Sequence, residues 1–352
     1  MKKLVLLCLA AALAACTPAT PVVTPTPDGP RTLRVMTHDS FALSEDVLTA
    51  FEQTENVTVE ILKSGDAGAL VNKAILAGET PLADVLYGVD NAFLSRALDN
   101  DILEAYTPIA LTAVPAEFQL DASQRAIPVN YGDVCLNYDK AFFVERGLSL
   151  PQSLDDLLKP ELSGLVVVEN PATSSPGLAF LLATIAQYGE DGYLDYWRSL
   201  RANDVKIVED WSTAYYTEFS GSSGQGPRPL VVSYASSPPA EVIFADPRPA
   251  DAPTASVTGP GTCFRQIEFV GILNGTSNRD LAEAWVDFML SPEVQKDLAL
   301  QMFVFPVVSG TPLPEDFERY AQIPAEPASL PPDQIAANRE LWIEAWTDVV
   351  LR

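Results

Sequence analysis

Three groups of side chains in this sequence could bind a ligand or take part in chemistry. His38 is the chain's single histidine, Tyr215 and Tyr216 are adjacent, and residues 171–177 read PATSSPG. A Ser-His-acid hydrolase would have to use His38, but no G-x-S-x-G motif surrounds any serine. Adjacent phenols suit a hard cation, and hydroxyls at the beginning of a helix suit polar ligand groups. These residues therefore favour binding over catalysis.

The PATSSPG segment lies between a predicted strand and a predicted helix. Residues 165–168 are apolar with three consecutive valines, which is typical of a strand buried on both faces. Residues 178–188 form a mostly apolar helix, for which Thr173, Ser174 and Ser175 supply N-cap oxygens. In open α/β sheets ligands bind outside the carboxyl ends of the strands. The segment is either a ligand loop of this kind or an ordinary capped helix.

The first part of the chain repeats this strand-loop-helix arrangement. Residues 32–37 and 57–62 alternate as strands, residues 67–77 are helical, and residues 83–89 form a third strand. The β-α-β-α-β order predicts a mostly parallel sheet. The loops after its strands contain Asp39, Ser40 and Asp90, and we expect them to lie close together.

A second α/β unit follows the PATSSPG segment. It comprises a strand at 205–208, a helix at 210–219 that starts with Trp211, and a strand at 230–234 that leads to Ser236. Longer strands are predicted at 128–140 and 263–273, and helices at 279–290, at 292–301 and after Pro332 with Asp333 as N-cap. The sequence thus predicts two α/β units.

The N-terminus has the features of an export signal. Residues 1–16 read MKKLVLLCLAAALAAC, with two lysines followed by a short apolar run. The end of this segment resembles a bacterial lipobox, which predicts a signal peptide over 1–15, lipidation of Cys16, and a proline-rich tether over 16–31. The alternative is an uncleaved membrane anchor. We expect an extracytoplasmic body attached to the cell envelope by acyl chains alone.

The composition narrows the range of partners. The formal net charge is −25 at pH 7, and loss of Lys2 and Lys3 with the signal would make it more negative. Such a chain is a poor partner for nucleic acid. Cys8 would be removed with the signal peptide and Cys16 would carry the lipid. Cys135 and Cys263 then remain as one pair, so a disulfide is expected in an oxidising compartment. A metal site or two free thiols are the alternatives.

A set of short motifs resembles the periplasmic thiamine-binding proteins, the substrate-binding components of thiamine ABC importers. The motifs are THDSF (37–41), ADVLYGVDN (83–91), PVNYGDVCLNYDK (128–140), PATSSPG, DWSTAY (210–215), SYASSP (233–238), LSPEVQ (290–295) and FVFPV (303–307). The resemblance implies a two-lobed type II periplasmic-binding-protein fold, with ligand in the interlobe cleft. It places residues 32–130 and 267–352 in lobe 1 and residues 131–266 in lobe 2.

The resemblance also implies a ligand and a partner. The ligand is thiamine or a thiamine phosphate, held without a cofactor or metal by a monomer that delivers it to an ABC permease. Trp211, Tyr215 and Tyr234 are expected to stack on the ligand. The alternative is that they are core aromatic residues, and this alternative is strongest for Tyr215. Phe303 stands where the family has a tryptophan.

The remaining expected contacts are polar. Asp39, with its neighbour Ser40, and Asp90 are candidates for the ligand's charge and pyrimidine edge, unless they only cap helices. The candidates for the hydroxyethyl tail or its phosphate are Ser174, Ser175, Gly177 and, more weakly, Ser236 with Ser237. Two other functions stay open. The pair Tyr215–Tyr216, with His38, resembles the tyrosine pair of ferric-binding proteins, and a secreted hydrolase is a more remote alternative.

Overall fold

A computed structural model describes residues 30–221 and 226–352. Within these ranges the chain forms eleven strands. They are β1 (Arg31–Thr37), β2 (Val57–Lys63), β3 (Val85–Asp90), β4 (Leu103–Glu104), β5 (Ile127–Asp139), β6 (Val166–Glu169), β7 (Lys206–Val208), β8 (Leu230–Tyr234), β9 (Thr254–Val257), β10 (Phe264–Leu273) and β11 (Phe305–Pro306). The predicted signal peptide, the predicted lipidation site Cys16 and nearly all of the predicted tether lie outside the described residues, and β1 begins at Arg31.

The strands form one continuous sheet with the order β2-β1-β3-β10-β5-β8-β6-β7. Strands β2, β1 and β3 are mutually parallel, and so are β8, β6 and β7. We call β1–β3 with their helices the first lobe and β6–β8 with theirs the second lobe. Each lobe is therefore a parallel α/β unit, as the sequence predicts.

The two lobes are joined by the long strands β5 and β10, which pair with each other in antiparallel fashion. The first half of β10 pairs with β5 and its second half pairs with β3 of the first lobe. The second half of β5 pairs with β8 of the second lobe. Both strands thus cross between the lobes.

Ten α-helices cover the sheet in the described part of the chain. They are α1 (Glu45–Glu55), α2 (Ala67–Ala77), α3 (Leu94–Asp99), α4 (Lys140–Arg146), α5 (Ser175–Ala202), α6 (Ala240–Ile243), α7 (Arg279–Met289), α8 (Pro292–Gln301), α9 (Glu315–Tyr320) and α10 (Pro332–Val350). None of the helices in the described ranges is long and apolar enough to cross a bilayer. Short 3₁₀ segments cover Ile109–Ala113, Ala116–Phe118, Leu154–Leu158 and Pro160–Leu162.

The helix α5 is the structural centre of the second lobe. Its first half, Leu178–Ile185, is buried at every position, and the helix is interrupted at Gly189. Near its end Trp197 packs edge-on against Trp346 of α10, with ring centroids 5.4 Å apart. The C-terminal helix also contacts the first lobe, since Arg339 donates a hydrogen bond to the Ala92 carbonyl at 3.1 Å. It therefore covers core, as predicted, and touches both lobes.

Three local predictions are wrong in detail. The predicted helix at 210–219 is a π-helix over Thr213–Glu218. The N-cap of α10 is Pro331, not Asp333, which lies inside the helix. The N-cap of α5 is Ser174, but its side chain makes no capping hydrogen bond, because the hydroxyl faces Asp66 instead of the helix N–H groups.

Cys135 and Cys263 form a disulfide with a Cα–Cα distance of 4.3 Å. Cys135 lies in β5, and Cys263 is the residue immediately before β10. Since β5 and β10 are the crossover strands, the bond lies at the junction between the lobes. The predicted pairing is confirmed.

Candidate functional site

A cleft of about 340 Å³ lies between the two lobes. The first lobe contributes the loop after β1, the end of β2 and the start of α2, while the second contributes the start of α5, the π-helix and the segment after β8. Glu268 of β10 and residues 301–304 complete the wall. A volume of this size suits a small organic molecule.

The structure brings most of the predicted site residues to this cleft. Those that line it are Asp39, Ser40, Ser175, Trp211, Tyr215, Tyr234 and Phe303. The predicted residues Asp90, Ser174, Gly177 and Ser236 do not line it. The rule that ligands bind at the carboxyl ends of the strands therefore predicted the position of the cleft. It did not predict which side chains in those loops face the cleft and which are buried behind its surface.

Trp211 is held firmly in the cleft wall. Its indole N–H donates to Ser233 Oγ at 2.9 Å, and its backbone N–H donates to Asp66 Oδ2 of the first lobe at 3.1 Å. Its ring stacks on that of Tyr215, with centroids 5.0 Å apart and an interplanar angle of 21°. These contacts fix the indole as a flat apolar surface beside the cleft.

The adjacent tyrosines have different roles. Tyr215 is only 2% exposed, and its hydroxyl donates to Glu241 Oε1 at 2.8 Å, so that its ring supports Trp211 from behind. Tyr216 is 53% exposed and packs edge-on against Trp211. Tyr216 was not among the predicted thiamine contacts. The π-helix determines which of the two rings is exposed, and the sequence pattern did not show this helix type.

Aromatic residues also frame the mouth of the cleft. Phe244, which follows α6 and is 70% exposed, packs edge-on against Phe303 with ring centroids 5.5 Å apart. Phe303 has a φ of 55°, a backbone conformation that is unusual for a residue with a side chain and that is often found at ligand sites. Deeper in the cleft, Tyr234 accepts a hydrogen bond from Gln266 Nε2 at 3.0 Å. The sequence does not mark Phe244 as a site residue, since it is only an apolar residue after a short helix.

Asp39 does not cap the helix that follows it, because the N-cap of α1 is Ser44. It lines the cleft, and its Oδ1 accepts a hydrogen bond from the Gly65 N–H at 2.8 Å. Lys63 donates to the Asp39 carbonyl at 2.8 Å and also lines the cleft. The loop after β1 is therefore tied to the loop after β2.

Two further carboxylates line the cleft and were missed from the sequence. Asp66 precedes α2 at the end of β2, and burial raises the pKa of its carboxyl, although hydrogen bonding with Ser174 and the Trp211 N–H opposes this effect. Glu268 lies within β10. Asp66 could have been predicted, because it follows the carboxyl end of a strand in the same way as Asp39. Glu268 could have been predicted as a charged residue inside an otherwise apolar strand.

Glu268 pairs with His38. The distance between His38 Nε2 and Glu268 Oε1 is 3.3 Å. Burial acts to lower the pKa of His38, but the Glu268 carboxylate outweighs it, so the pKa is raised. Burial acts to raise the pKa of Glu268, and His38 with Tyr87 reverses this, so that pKa is lowered. Both shifts favour a charged pair in the cleft wall.

Asp90 has a structural role in this arrangement. It is fully buried, and its Oδ1 accepts hydrogen bonds from the Ala92 and Phe93 N–H groups at 2.9 Å each. Burial raises its pKa to about 6, although the Ser175 hydroxyl and these N–H groups oppose the shift. Asp90 thus stabilises the turn that leads into α3, whose N-cap is Phe93.

The loop before α5 is also mostly behind the surface. Ser174 and Ser236 are fully buried and do not line the cleft, whereas their neighbours Ser175 and Ser237 border it. A Cβ atom at Gly177 would lie 2.4 Å from the Glu169 carbonyl oxygen. Gly177 is therefore needed for close packing of α5 on β6, which explains it without a ligand.

No group of three or more His, Cys, Asp or Glu side chains in residues 30–221 and 226–352 is arranged to hold a metal ion. The combination of aromatic faces with carboxylates instead suits a flat organic molecule that carries positive charge.

Comparison with known proteins places this architecture in a family. Residues 80–326 match the family model described as bacterial extracellular solute-binding protein. The chain belongs to this family. Its members bind solutes, so the chain is an extracellular solute-binding protein and not an enzyme.

Relatives of this solute-binding protein include the thiamine-binding periplasmic protein of Salmonella typhimurium. The two are 31% identical over 326 residues, which cover 91% of this chain and 94% of the relative. Among solved structures, a periplasmic thiamin binding protein is 28% identical with a TM-score of 0.80, covering 92% of this chain and 99% of that chain. Iron-bound HitA from Pseudomonas aeruginosa is 22% identical with a TM-score of 0.73, covering 91% and 99%. The HitA match shows the fold alone, and the set confirms the predicted two-lobed type II fold.

Proposed function

We propose that this solute-binding protein captures thiamine, or a thiamine phosphate, in the interlobe cleft and delivers it to an ABC permease. The observation that carries this proposal is the joint presence of stacked aromatic rings and carboxylates in one cleft. The thiamine-binding names of its relatives support the same ligand.

The aromatic part of the cleft matches the two rings of thiamine. The thiazolium ring is a cation and the aminopyrimidine is flat, so both bind well to aromatic faces. The rings that line the cleft are those of Phe41, Trp211, Tyr215, Tyr216, Tyr234, Phe244 and Phe303, of which Tyr215 is enclosed behind Trp211. A cation–aromatic contact contributes on the order of 0.5–2 kcal/mol, so several such contacts give useful affinity.

The charge of the cleft also suits a cation. Asp39, Asp66 and Glu268 line it, opposed by Lys63 and by His38 when protonated. The three carboxylates outnumber the two basic groups, and an excess of negative charge in a cleft attracts cationic ligands. Lys63 and the hydroxyls near the beginning of α5 remain available to a phosphate on the ligand.

We extend the proposal to the arrangement of the chain in the envelope. Residues 32–130 and 267–352 form one lobe and residues 131–266 the other, and a monomer is attached through lipidated Cys16. The Cys16→Ser variant should be released from the membrane and should support slower uptake, with thiamine affinity unchanged, because the tether raises local concentration near the permease. Membrane attachment that persists in this variant would contradict the lipid anchor.

Mass spectrometry of the small molecule that co-purifies with natively isolated protein tests the ligand. We expect thiamine or a thiamine phosphate at up to one molecule per chain. A sugar, a polyamine or a visible absorbance band from phenolate-bound ferric iron would contradict the proposal. The last result would favour the alternative based on Tyr215 and Tyr216.

A further inference from the structure

A buried ion pair forms part of the cleft wall. His38 follows β1 and Glu268 lies in β10, with 3.3 Å between Nε2 and Oε1. Only 10% of the His38 side chain and 8% of the Glu268 side chain are exposed, yet both border the cleft. Because little water screens this pair, each member interacts strongly with its partner and with any charge that enters the cleft.

The Glu268 carboxylate is fixed from the side away from His38. Its Oε2 accepts a hydrogen bond from the Tyr87 hydroxyl at 3.0 Å, and the Tyr87 oxygen in turn accepts one from Asn130 Nδ2. These two neutral donors stabilise the ionised carboxylate without neutralising it. The balancing charge must therefore come from His38 or from the ligand.

Other charged and titratable groups also face His38. Glu268 acts from β10, Asp66 from the start of α2 and Asp39 from the same loop as His38. The Tyr87 ring of β3 lies with its centroid 5.6 Å from that of His38. Among the described residues that line the cleft, Lys63 is the other basic side chain, and it bonds to the Asp39 carbonyl. His38 is thus the cation that is placed against Glu268.

We propose that a cationic ligand competes with protonated His38 for the Glu268 carboxylate, so that ligand binding is coupled to loss of the His38 proton to solvent. This inference rests on the proposed function, because it needs a positively charged ligand in the cleft. The bound cation takes over the neutralisation of Glu268 and repels the imidazolium. Glu268 stays ionised, and the proton passes to the buffer.

The coupling makes binding depend on pH. The raised pKa of His38 means that the ligand-free protein holds this proton more tightly than a free imidazole does. Affinity for the cation should therefore rise as pH increases through the His38 titration, and the ligand should be released more readily in acidic surroundings. By reciprocity, the ligand lowers the proton affinity of His38 by the same factor.

The single histidine allows a direct test. In mature protein without a histidine tag, the imidazole C–H signals in the proton NMR spectrum belong to His38. Their pH titration is recorded with and without saturating thiamine. We expect the proton affinity of His38 to be about tenfold lower with thiamine, which equals about tenfold tighter thiamine binding to the deprotonated protein. An unchanged or higher titration midpoint would overturn the proposal.

Calorimetry separates His38 from the other acids in the cleft. Thiamine titrations in two buffers of different ionisation enthalpy count the protons released, and the His38→Gln variant should release none. If this variant keeps the proton release and pH dependence of the wild type, they belong to Asp66 or another group, and the proposal fails. If the wild type binds no thiamine at any pH, the proposed function fails as well, whereas binding without proton release overturns only the coupling.

Discussion

Asp66 Oδ2 accepts a hydrogen bond from the Trp211 backbone N–H across the cleft, at a distance of 3.1 Å. Asp66 precedes α2 of the first lobe, and Trp211 precedes the π-helix of the second. The bond therefore joins the two lobes at the cleft itself. In proteins that close around a ligand by hinge motion, contacts of this kind form only when the lobes meet.

Gly68, two residues after Asp66, lies against the second lobe. A Cβ atom there would be 2.7 Å from the Ala172 carbonyl oxygen and 3.1 Å from that of Thr173, both in the second lobe. Gly68→Ala should weaken ligand binding about tenfold, since overpacking costs about 1–3 kcal/mol in the closed state. The added Cβ would also lie 3.0 Å from Phe93 Cζ of the first lobe, so that ring must shift slightly even when the lobes are open. The melting temperature of ligand-free protein should change little, because the preference of alanine for the helix offsets this shift.

The control for this prediction is Gly192→Ala in α5. An added Cβ at Gly192 meets only Tyr188 Cβ of the same helix, at 3.3 Å, and no atom of the first lobe, so affinity should not change. Titration calorimetry and thermal unfolding of both variants provide the comparison. Equal affinities for the two variants would show that closure does not need Gly68.

Trp211→Ala removes the flat surface that its hydrogen bonds and Tyr215 hold in place. Loss of a stacking and cation–aromatic contact should weaken thiamine binding by about 2 kcal/mol, or about thirtyfold in Kd. The ligand-free fold should remain, because the side chain is only partly buried. Tyr320→Ala is a matched aromatic deletion outside the cleft and should keep full affinity. If Trp211→Ala instead unfolds the protein with unchanged affinity, the ring serves the core.

Asp90→Asn tests the structural role of that carboxyl. Burial raises its pKa to about 6, so the folded state takes up the proton at a higher pH than the unfolded state does. The resulting stabilisation is present below the unfolded pKa and is lost as pH rises through about 6, a change of about 3 kcal/mol. Asparagine keeps the acceptor for Ala92 and Phe93 without this loss.

Urea unfolding across this pH range measures the effect of Asp90→Asn. The stability of the variant relative to the wild type should increase from about pH 4 to pH 7, and thiamine affinity should be retained. A difference in unfolding free energy that stays constant with pH would contradict the assigned pKa. A large loss of affinity would instead make Asp90 a ligand contact.

The disulfide between Cys135 and Cys263 closes a loop with a sequence separation of 128. Its replacement by two serines should lower the free energy of unfolding by up to about 4–5 kcal/mol, since the unfolded chain regains the entropy of that loop. Reduced wild-type protein should behave like the variant in denaturant titrations. Thiol counting on denatured, unreduced mature protein should find neither cysteine reactive, and two reactive thiols would exclude the bond.

Local pattern was sufficient to predict much of the fold. Helices α2 and α8 begin and end at the predicted residues, because their apolar positions recur at helical spacing and Pro292 starts α8. The position of β10 between β3 and β5 does not follow from local pattern, since long-range packing decides which strands are neighbours. The strand and helix pattern predicted two α/β units, whereas the interlobe cleft and the type II fold came from the family resemblance.

The candidate site was predictable to the level of its loops. Asp39, Ser175 and Tyr234 border the cleft because the carboxyl ends of parallel strands meet there. Whether a side chain in such a loop faces the cleft depends on local rotation, which pattern does not show. Thus Ser175 lines the cleft and the adjacent Ser174 does not. In the same way, the π-helix exposes Tyr216 while Tyr215 is enclosed.

Titration of ligand-stripped mature protein with thiamine is the measurement that tests the central claim most directly. We predict one bound thiamine per chain, with stabilisation against unfolding of about 2.7 kcal/mol at a hundredfold excess over Kd, and much weaker binding in Trp211→Ala. The absence of binding heat and of any rise in melting temperature with thiamine or its phosphates would contradict the account.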